Sequence, residues 1–166
     1  MMSKIIKFLL VVFLIAAIEY LGDATDVITA EAGERIKVVD GDSLEIGRRR
    51  IRLLGIDSPE YRQYCYDKHH RRYSCGIKAR QHMEKLVAAG SVECREKGTD
   101  RYKRSLCVCY SGEKDLNEEM VRSGWAVVYR DEGAAYADAQ KEAKKHRRGV
   151  WQGKFMRPEL YRFLNK

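Results

Sequence analysis

Three carboxylates and one arginine, Asp42, Asp57, Glu60 and Arg52, stand in two short stretches, Val39-Asp40-Gly41-Asp42-Ser43 and Arg52-Leu53-Leu54-Gly55-Ile56-Asp57-Ser58-Pro59-Glu60. The chain around them is basic, with 32 Lys and Arg against 24 Asp and Glu and a formal charge of +8. Acidic groups set inside a basic surface suit a metal ion held against a phosphate. A hard divalent cation takes oxygen ligands, and Asp42 and Asp57, at neighbouring strand ends, could supply two of them. Glu60 is then free to handle a water. Taken singly, each has a plainer explanation: Asp is a common turn residue, and a Pro-Glu pair is a simple loop feature. The positive balance favours a polyanionic partner, with solubility or attraction to a membrane surface as the alternatives.

Positioning such groups needs a framework, and the pattern supplies one. The 166 residues fit a leader plus one domain, and a composition 45% hydrophobic and 34% charged can bury one ordinary core. Segments 35–40 and 43–46 alternate around Asp40-Gly41-Asp42 as two strands joined by a tight turn. A second turn at Gly47 to Arg50 leads into a third strand over 51–56, which must end before Pro59. Segment 77–89 carries Ala79, Met83, Leu86 and Val87 at helical spacing and stops at Gly90. A hairpin over 92–110 follows. Asp115-Leu116-Asn117 with Glu118 then opens a second helix, and Ala135, Ala139, Ala143 and His146 share one face of a third. Five strands with a helix between the third and fourth is the order of an oligonucleotide-binding (OB-fold) barrel, an α+β fold with three helices. On this reading residues 35–166 form the domain and 25–34 a short linker.

The N-terminus has Lys4 and Lys7 before an 11-residue apolar run, Phe8 to Ile18, too short for a membrane span of about 20 residues. Residues 1–24 are expected to be a signal peptide, with an uncleaved anchor as the alternative. Losing them leaves the charge at +8, so the basicity belongs to the domain. All five cysteines lie beyond that segment, and an exported chain permits disulfides. If the stretch 97–105 is a nearly symmetric hairpin loop, Cys94 and Cys109 fall opposite one another and Cys107 remains free. Cys65 and Cys75 flank a polar loop that a bridge would close. A zinc site from Cys65, His69, His70 and Cys75 is the rival there, although its spacing fits no standard ligand pattern.

With Thr99-Asp100-Arg101-Tyr102-Lys103-Arg104, Asp115-Leu116-Asn117 and Gly124-Trp125-Ala126 added to the two opening stretches, the chain resembles the staphylococcal nuclease (thermonuclease-like) family from about residue 35 to Trp151. The resemblance implies an OB-fold barrel and calcium-dependent phosphodiester hydrolysis of DNA and RNA, leaving 3′-phosphate ends. It implies Asp42, Asp57 and the Ser58 carbonyl as Ca²⁺ ligands, and Arg52 and Arg104 as a clamp on the scissile phosphate. Glu60 would activate or orient the water. Arg101 and Tyr102 would contact a terminal phosphate, and Tyr129 would stack on a base or else sit at the core edge.

Two departures from the family pattern stand out. Ser58 replaces a commoner threonine, and Lys103 stands where a glycine usually sits, at a backbone angle a lysine adopts at some cost. The longer Cys65 to Cys75 loop resembles that of cysteine-bearing bacterial relatives and is expected to border the site, since it follows Glu60. A monomer acting on single-stranded or locally unpaired nucleic acid is expected. A non-catalytic OB-fold binding module is the alternative, and retention of the Asp, Glu and Arg set argues against it.

Overall fold

The structure, a computed structural model, describes residues 26–30 and 35–165, so the leader expected over 1–24 lies outside the described residues. The meander comes first: β2 (Ile36–Asp40), β3 (Ser43–Ile46) and β4 (Arg49–Leu53) pair antiparallel in that order. After α1 (Cys75–Val87), β8 (Val92–Thr99) and β9 (Ser105–Ser111) form the hairpin, and β9 returns parallel to β4. That parallel closure after a crossover gives the OB-fold strand order, here as a curled half-barrel whose outer edge on β8 is taken by β1 (Val27–Thr29).

The first correction to the sequence reading is β1, which falls in the segment read as a linker. Its Ile28 is buried in the core opposite Cys94, so three β-branched residues are enough to add an edge strand. The second is the third strand, which stops at Leu53 rather than continuing to Ile56. Gly55 takes φ 76° against the backbone of Glu132, and the chain restarts as β5 (Ile56–Asp57), paired with β11 (Val127–Val128). Third, there are four α-helices among the described residues instead of three: α2 (Leu116–Arg122), α3 (Ala137–Lys145) and, unforeseen, α4 (Pro158–Leu164), which starts on a proline as helices readily do. The expected N-cap is present, with Asp115 accepting a hydrogen bond from the Glu118 amide at 2.9 Å.

Each element buries the face its pattern specifies. In β4, Ile51 and Leu53 enter the core while Arg50 and Arg52 point to the opposite side. Met83 of α1 and Leu116, Met120 and Val121 of α2 close the core over the sheet. A smaller cluster gathers Val150 and the Cys65–Cys75 pair against Trp125, Trp151 and Phe155.

The cysteines pair as their placement suggests. Cys94 and Cys109 are cross-strand partners and are bonded, Cys65 is bonded to Cys75, and Cys107 is free and buried opposite Glu96. The Cys65–Cys75 bond removes the zinc alternative. It also ties β6 (Cys65–Tyr66), which pairs with β7 (Arg72–Tyr73), to the start of α1.

Burial pushes the Cys107 thiol up to about 12, with Glu96 adding to it. Near pH ~8 a thiol reagent should therefore find no reactive cysteine in the native protein and a single one after unfolding without reductant. Peptide mapping that linked Cys107 to Cys94 would contradict the register. Each bridge should contribute about 2–4 kcal/mol, read as lost thermal stability on reduction.

Candidate active site

Arg52 leaves β4 on the face away from the core, and its guanidinium reaches two carboxylates that are both 1% exposed. One nitrogen donates to Asp42, the other to Asp57 at 3.0 Å and to the Ile56 carbonyl at 3.2 Å. Asp42, just ahead of β3, also accepts from the Ser58 amide at 2.6 Å and the Ser43 hydroxyl at 3.1 Å. Ser58 is anchored in turn by its hydroxyl on the Trp125 carbonyl, 3.0 Å away. Burial raises the Asp42 carboxyl, to about 7, against the pull of Arg52. Burial would lower the Arg52 guanidinium, but Asp42 and Asp57 outweigh it and hold its pKa above the usual value.

Glu60 follows β5 and Pro59. Its loop is held by Gln63, which is wholly buried: the Gln63 amide donates to the Glu60 carbonyl at 2.7 Å, its side-chain oxygen accepts from the Glu60 amide at 3.2 Å, and its Nε2 donates to the Met156 carbonyl at 2.7 Å. Gly76 of α1 packs so closely on the Glu60 carbonyl that a Cβ there would overlap it. Glu60 is therefore placed by backbone and by a buried amide, and its carboxylate is left for other partners.

That carboxylate meets Arg162 of α4. The Arg162 guanidinium donates to Asp57 at 2.7 and 3.2 Å and to Glu60 at 2.9 Å. Burial works against its charge, but the bonds to Asp57 and Glu60 prevail and raise its pKa. Asp57 thus lies between two guanidinium groups, from β4 and from α4.

The remaining basic groups come from the β8–β9 turn. β4 and β9 run parallel with Arg52 opposite Leu106, and Arg104, just ahead of β9, lines the same cleft as Arg52. Asp100 holds it through the Arg104 amide at 3.0 Å and Nε at 2.8 Å. Burial opposes it, yet these donors and the Tyr102 amide keep the Asp100 carboxyl below its usual range. Lys103 takes φ 59°, the left-handed conformation that favours glycine. The turn still closes, with the Lys103 amide on the Asp100 carbonyl at 3.0 Å. Arg101 leans on the Tyr102 ring, its guanidinium 4.8 Å from the centroid. Arg50 ties the turn to the sheet through the Tyr102 carbonyl at 2.7 Å.

All these groups border one cleft of about 830 Å³, lined by Arg52, Glu60, Arg104, Tyr102, Tyr129 and Arg162 among others. Arg101 lines it too, whereas Asp42, Asp57 and Ser58 lie beneath its floor. Tyr129 is on the wall with its hydroxyl 3.4 Å from Glu159, not in the core. Of the residues singled out for hydrolysis, Arg52, Glu60, Arg101, Tyr102, Arg104 and Tyr129 line this cleft, and Asp42, Asp57 and Ser58 join it through Arg52 and the Ser58–Asp42 hydrogen bond. Arg162, Gln63 and Asp100 were missed. Asp100 and Arg104 have the spacing of a local pair, and Pro158 marks a helix start, but no pattern ties Gln63 or Arg162 to Glu60.

A hard cation is compatible with this donor set, since two desolvated carboxylates under a cleft can share its charge. Among the described residues no three His, Cys, Asp or Glu side chains converge as a metal centre, so the backbone, water or substrate would have to complete the shell.

The comparisons agree with the geometry. The family model described as "Staphylococcal nuclease homologue" matches residues 50–153, more than half of the chain. The chain belongs to the staphylococcal nuclease family, and its domain is an OB-fold. It is 35% identical over 117 residues to the succinoglycan biosynthesis protein ExoI of Rhizobium meliloti (strain 1021), covering 69% of this chain and 61% of that protein. It is 34% identical over 136 residues to a micrococcal nuclease of Shigella flexneri, covering 72% of each. An uncharacterized endonuclease of Haemophilus influenzae shares 32% over 123 residues, 70% of this chain and 64% of its own length. The match to ExoI and to the Haemophilus protein therefore spans less than two thirds of each.

Replacing Gln63 by Leu should destabilise the fold by about 1–3 kcal/mol, because the Glu60 amide and the Met156 carbonyl lose a buried partner. It should also lower activity more than an equally destabilising core substitution such as Val121→Ala. Chemical denaturation and turnover measured on both variants check this; equal activity at equal stability would show that Gln63 does not position Glu60.

Proposed function

We propose that this protein is a Ca²⁺-dependent nuclease that hydrolyses phosphodiester bonds of DNA and RNA and leaves 3′-phosphate ends. The observation that carries the reading is the convergence of buried Asp42 and Asp57, bridged by Arg52, with Glu60 and Arg104 on one basic cleft. Family membership and the nuclease-named relatives support it.

In this reading Arg52 and Arg104 bind the non-bridging oxygens of the scissile phosphate with paired donors and gain strength as negative charge builds there. Glu60 accepts a proton from the attacking water, whose oxygen bonds to phosphorus as the bond to the 5′-oxygen breaks. Asp42, Asp57 and the Ser58 carbonyl would hold Ca²⁺, which when bound polarises a phosphoryl oxygen. Arg101 and Tyr102 contact a neighbouring phosphate, and Tyr129 offers a ring to a base. Recognition by phosphate contacts and stacking reads little sequence, which suits both DNA and RNA as substrates. Unpaired strands fit best because stacking needs open bases. The two disulfides favour an exported protein, periplasmic or secreted, or one held by an uncleaved N-terminal segment. It is expected to act as a monomer.

Glu60→Gln should lower turnover on single-stranded DNA by at least about 100-fold with folding intact, the loss expected of a general base. Arg52→Lys should be similarly impaired, since an ammonium cannot reproduce a fork of donors. Activity that persisted in excess chelator, or a Glu60→Gln variant within about threefold of the parent, would defeat the mechanism.

A further inference from the structure

A second cavity, of about 560 Å³, shares no lining residue with the first and is framed by Tyr64, Tyr66, Arg72, Phe155, Met156 and Tyr161, with Lys154 at its edge. The geometry points to a base-stacking subsite for single-stranded nucleic acid, taking the strand that extends from the cleft. This rests on the nuclease reading above and names where the longer substrate goes.

The chemistry of the walls favours that occupant. Tyr64 and Tyr66 are each 46% exposed, which is unusual for aromatic rings without a partner to cover them. The Arg72 guanidinium stacks 3.7 Å from the Tyr64 centroid, a planar cation on a planar ring. Bases stack on aromatic and guanidinium planes alike, and a cationic rim follows the phosphates. Between Tyr61 and Tyr73 the chain carries Arg62, Lys68, Arg71 and Arg72 against the single carboxylate Asp67, which Arg71 already occupies at 2.8 Å.

The pocket is built rather than incidental. The Cys65–Cys75 bond fixes one wall, and Tyr66 and Lys154 exchange backbone hydrogen bonds of 2.8 and 3.0 Å that bind it to the C-terminal segment. Gly153 approaches the Tyr66 carbonyl too closely for any side chain.

It also lies near the catalytic cleft. Tyr64 is four positions beyond Glu60, a reach of at most about 14 Å. Helix α4 contributes Arg162 to the first cavity and Tyr161 to the second, and the Tyr161 hydroxyl donates to the Arg62 carbonyl at 3.3 Å. A strand covering both stays within the ~4–16 nucleotides typical of an OB-fold.

The test uses the chain without its first 24 residues and compares it with the double variant Tyr64→Ala, Arg72→Ala, both side chains being exposed at the surface. Binding of a fluorescein-labelled oligothymidylate about 12 nucleotides long is read by anisotropy, each protein also carrying Glu60→Gln so that the strand survives. The double variant should bind it at least about tenfold more weakly, the lower end for loss of a stacked base. Tyr64→Phe, which keeps the ring, should bind like the parent. With Glu60 intact, cleavage of the dinucleotide d(TpT), too short to reach the pocket, should be unchanged by the double substitution.

Oligothymidylate binding within about twofold of the parent, while the parent still cleaves DNA, would overturn the subsite and leave the nuclease reading standing. A parent that cleaves nothing would defeat the nuclease reading, and the binding comparison would still decide the subsite. Loss of binding to phosphatidylglycerol vesicles with oligothymidylate binding retained would overturn it in favour of a membrane contact.

Discussion

The Arg52 guanidinium lies between two carboxylates that have almost no access to water, and the arrangement of the cleft depends on it. Taking such ions out of water costs several kcal/mol each, and their attraction offsets this only when the remaining hydrogen-bonding capacity is filled. Here it is filled: the Ser58 amide, the Ser43 hydroxyl and the Ile56 carbonyl complete the set. An apolar trio of similar volume would stabilise the fold as well or better. What the ions add is placement. One side chain fixes the β2–β3 turn, the end of β4 and the exit of β5, so the two Asp residues have no freedom to separate.

The topology explains why the other groups arrive at the same point. A parallel pairing of β4 with β9 requires a long crossover, because parallel neighbours cannot be joined by a hairpin. That crossover holds β5, Glu60, the disulfide loop, α1 and β8, and it must pass over the end of the sheet where Arg52 emerges. Its first part has little regular structure, only the two-residue pairs of β6 and β7. The Cys65–Cys75 bond, the buried Gln63 amide and the contact at Gly76 supply the restraint that a longer strand would otherwise give. On the far side the returning strand sets Leu106 opposite Arg52 and delivers Arg104, one residue ahead of β9, to the same cleft.

Local signals were legible in the sequence and distant ones were not. Alternation around Asp40-Gly41-Asp42 gave the first hairpin, and helical spacing from Ala79 to Val87 gave α1 to within two residues at each end. The hairpin about the 97–105 loop put Cys94 within one position of facing Cys109, and the register, irregular between Glu96 and Gly98, sets the two opposite each other. The lysine-for-glycine departure at position 103 foretold a positive φ because the constraint acts on that residue's own backbone. By contrast Arg162 meets Glu60 across 102 residues and Gln63 meets Met156 across 93, and neither contact leaves a trace in periodicity. Strand β1 has only three residues, too few for alternation to separate a strand from a linker. The zinc alternative failed on geometry that spacing could not supply, since the two cysteines are bonded to each other.

The arginines around the cleft differ in how firmly they are held, and that difference matches what phosphate chemistry asks of them. Arg52 is buried between both partners, so removing it would leave the Asp42 charge uncompensated at a cost of about 3–5 kcal/mol. It is a fixed donor. Arg162 donates two bonds to the buried Asp57 as well as one to Glu60, whereas Arg104 is held by Asp100 in a partly exposed pair, where such a contact contributes about 0–1 kcal/mol. A phosphate offers the same guanidinium a charge-assisted, paired hydrogen bond of comparable or greater strength. Arg104 can therefore trade its present partner for substrate with little net loss, while Asp100 meanwhile keeps the planar fork extended and ordered. Arg162 cannot do so as cheaply, because leaving would strip the buried Asp57 of one of its two guanidinium partners.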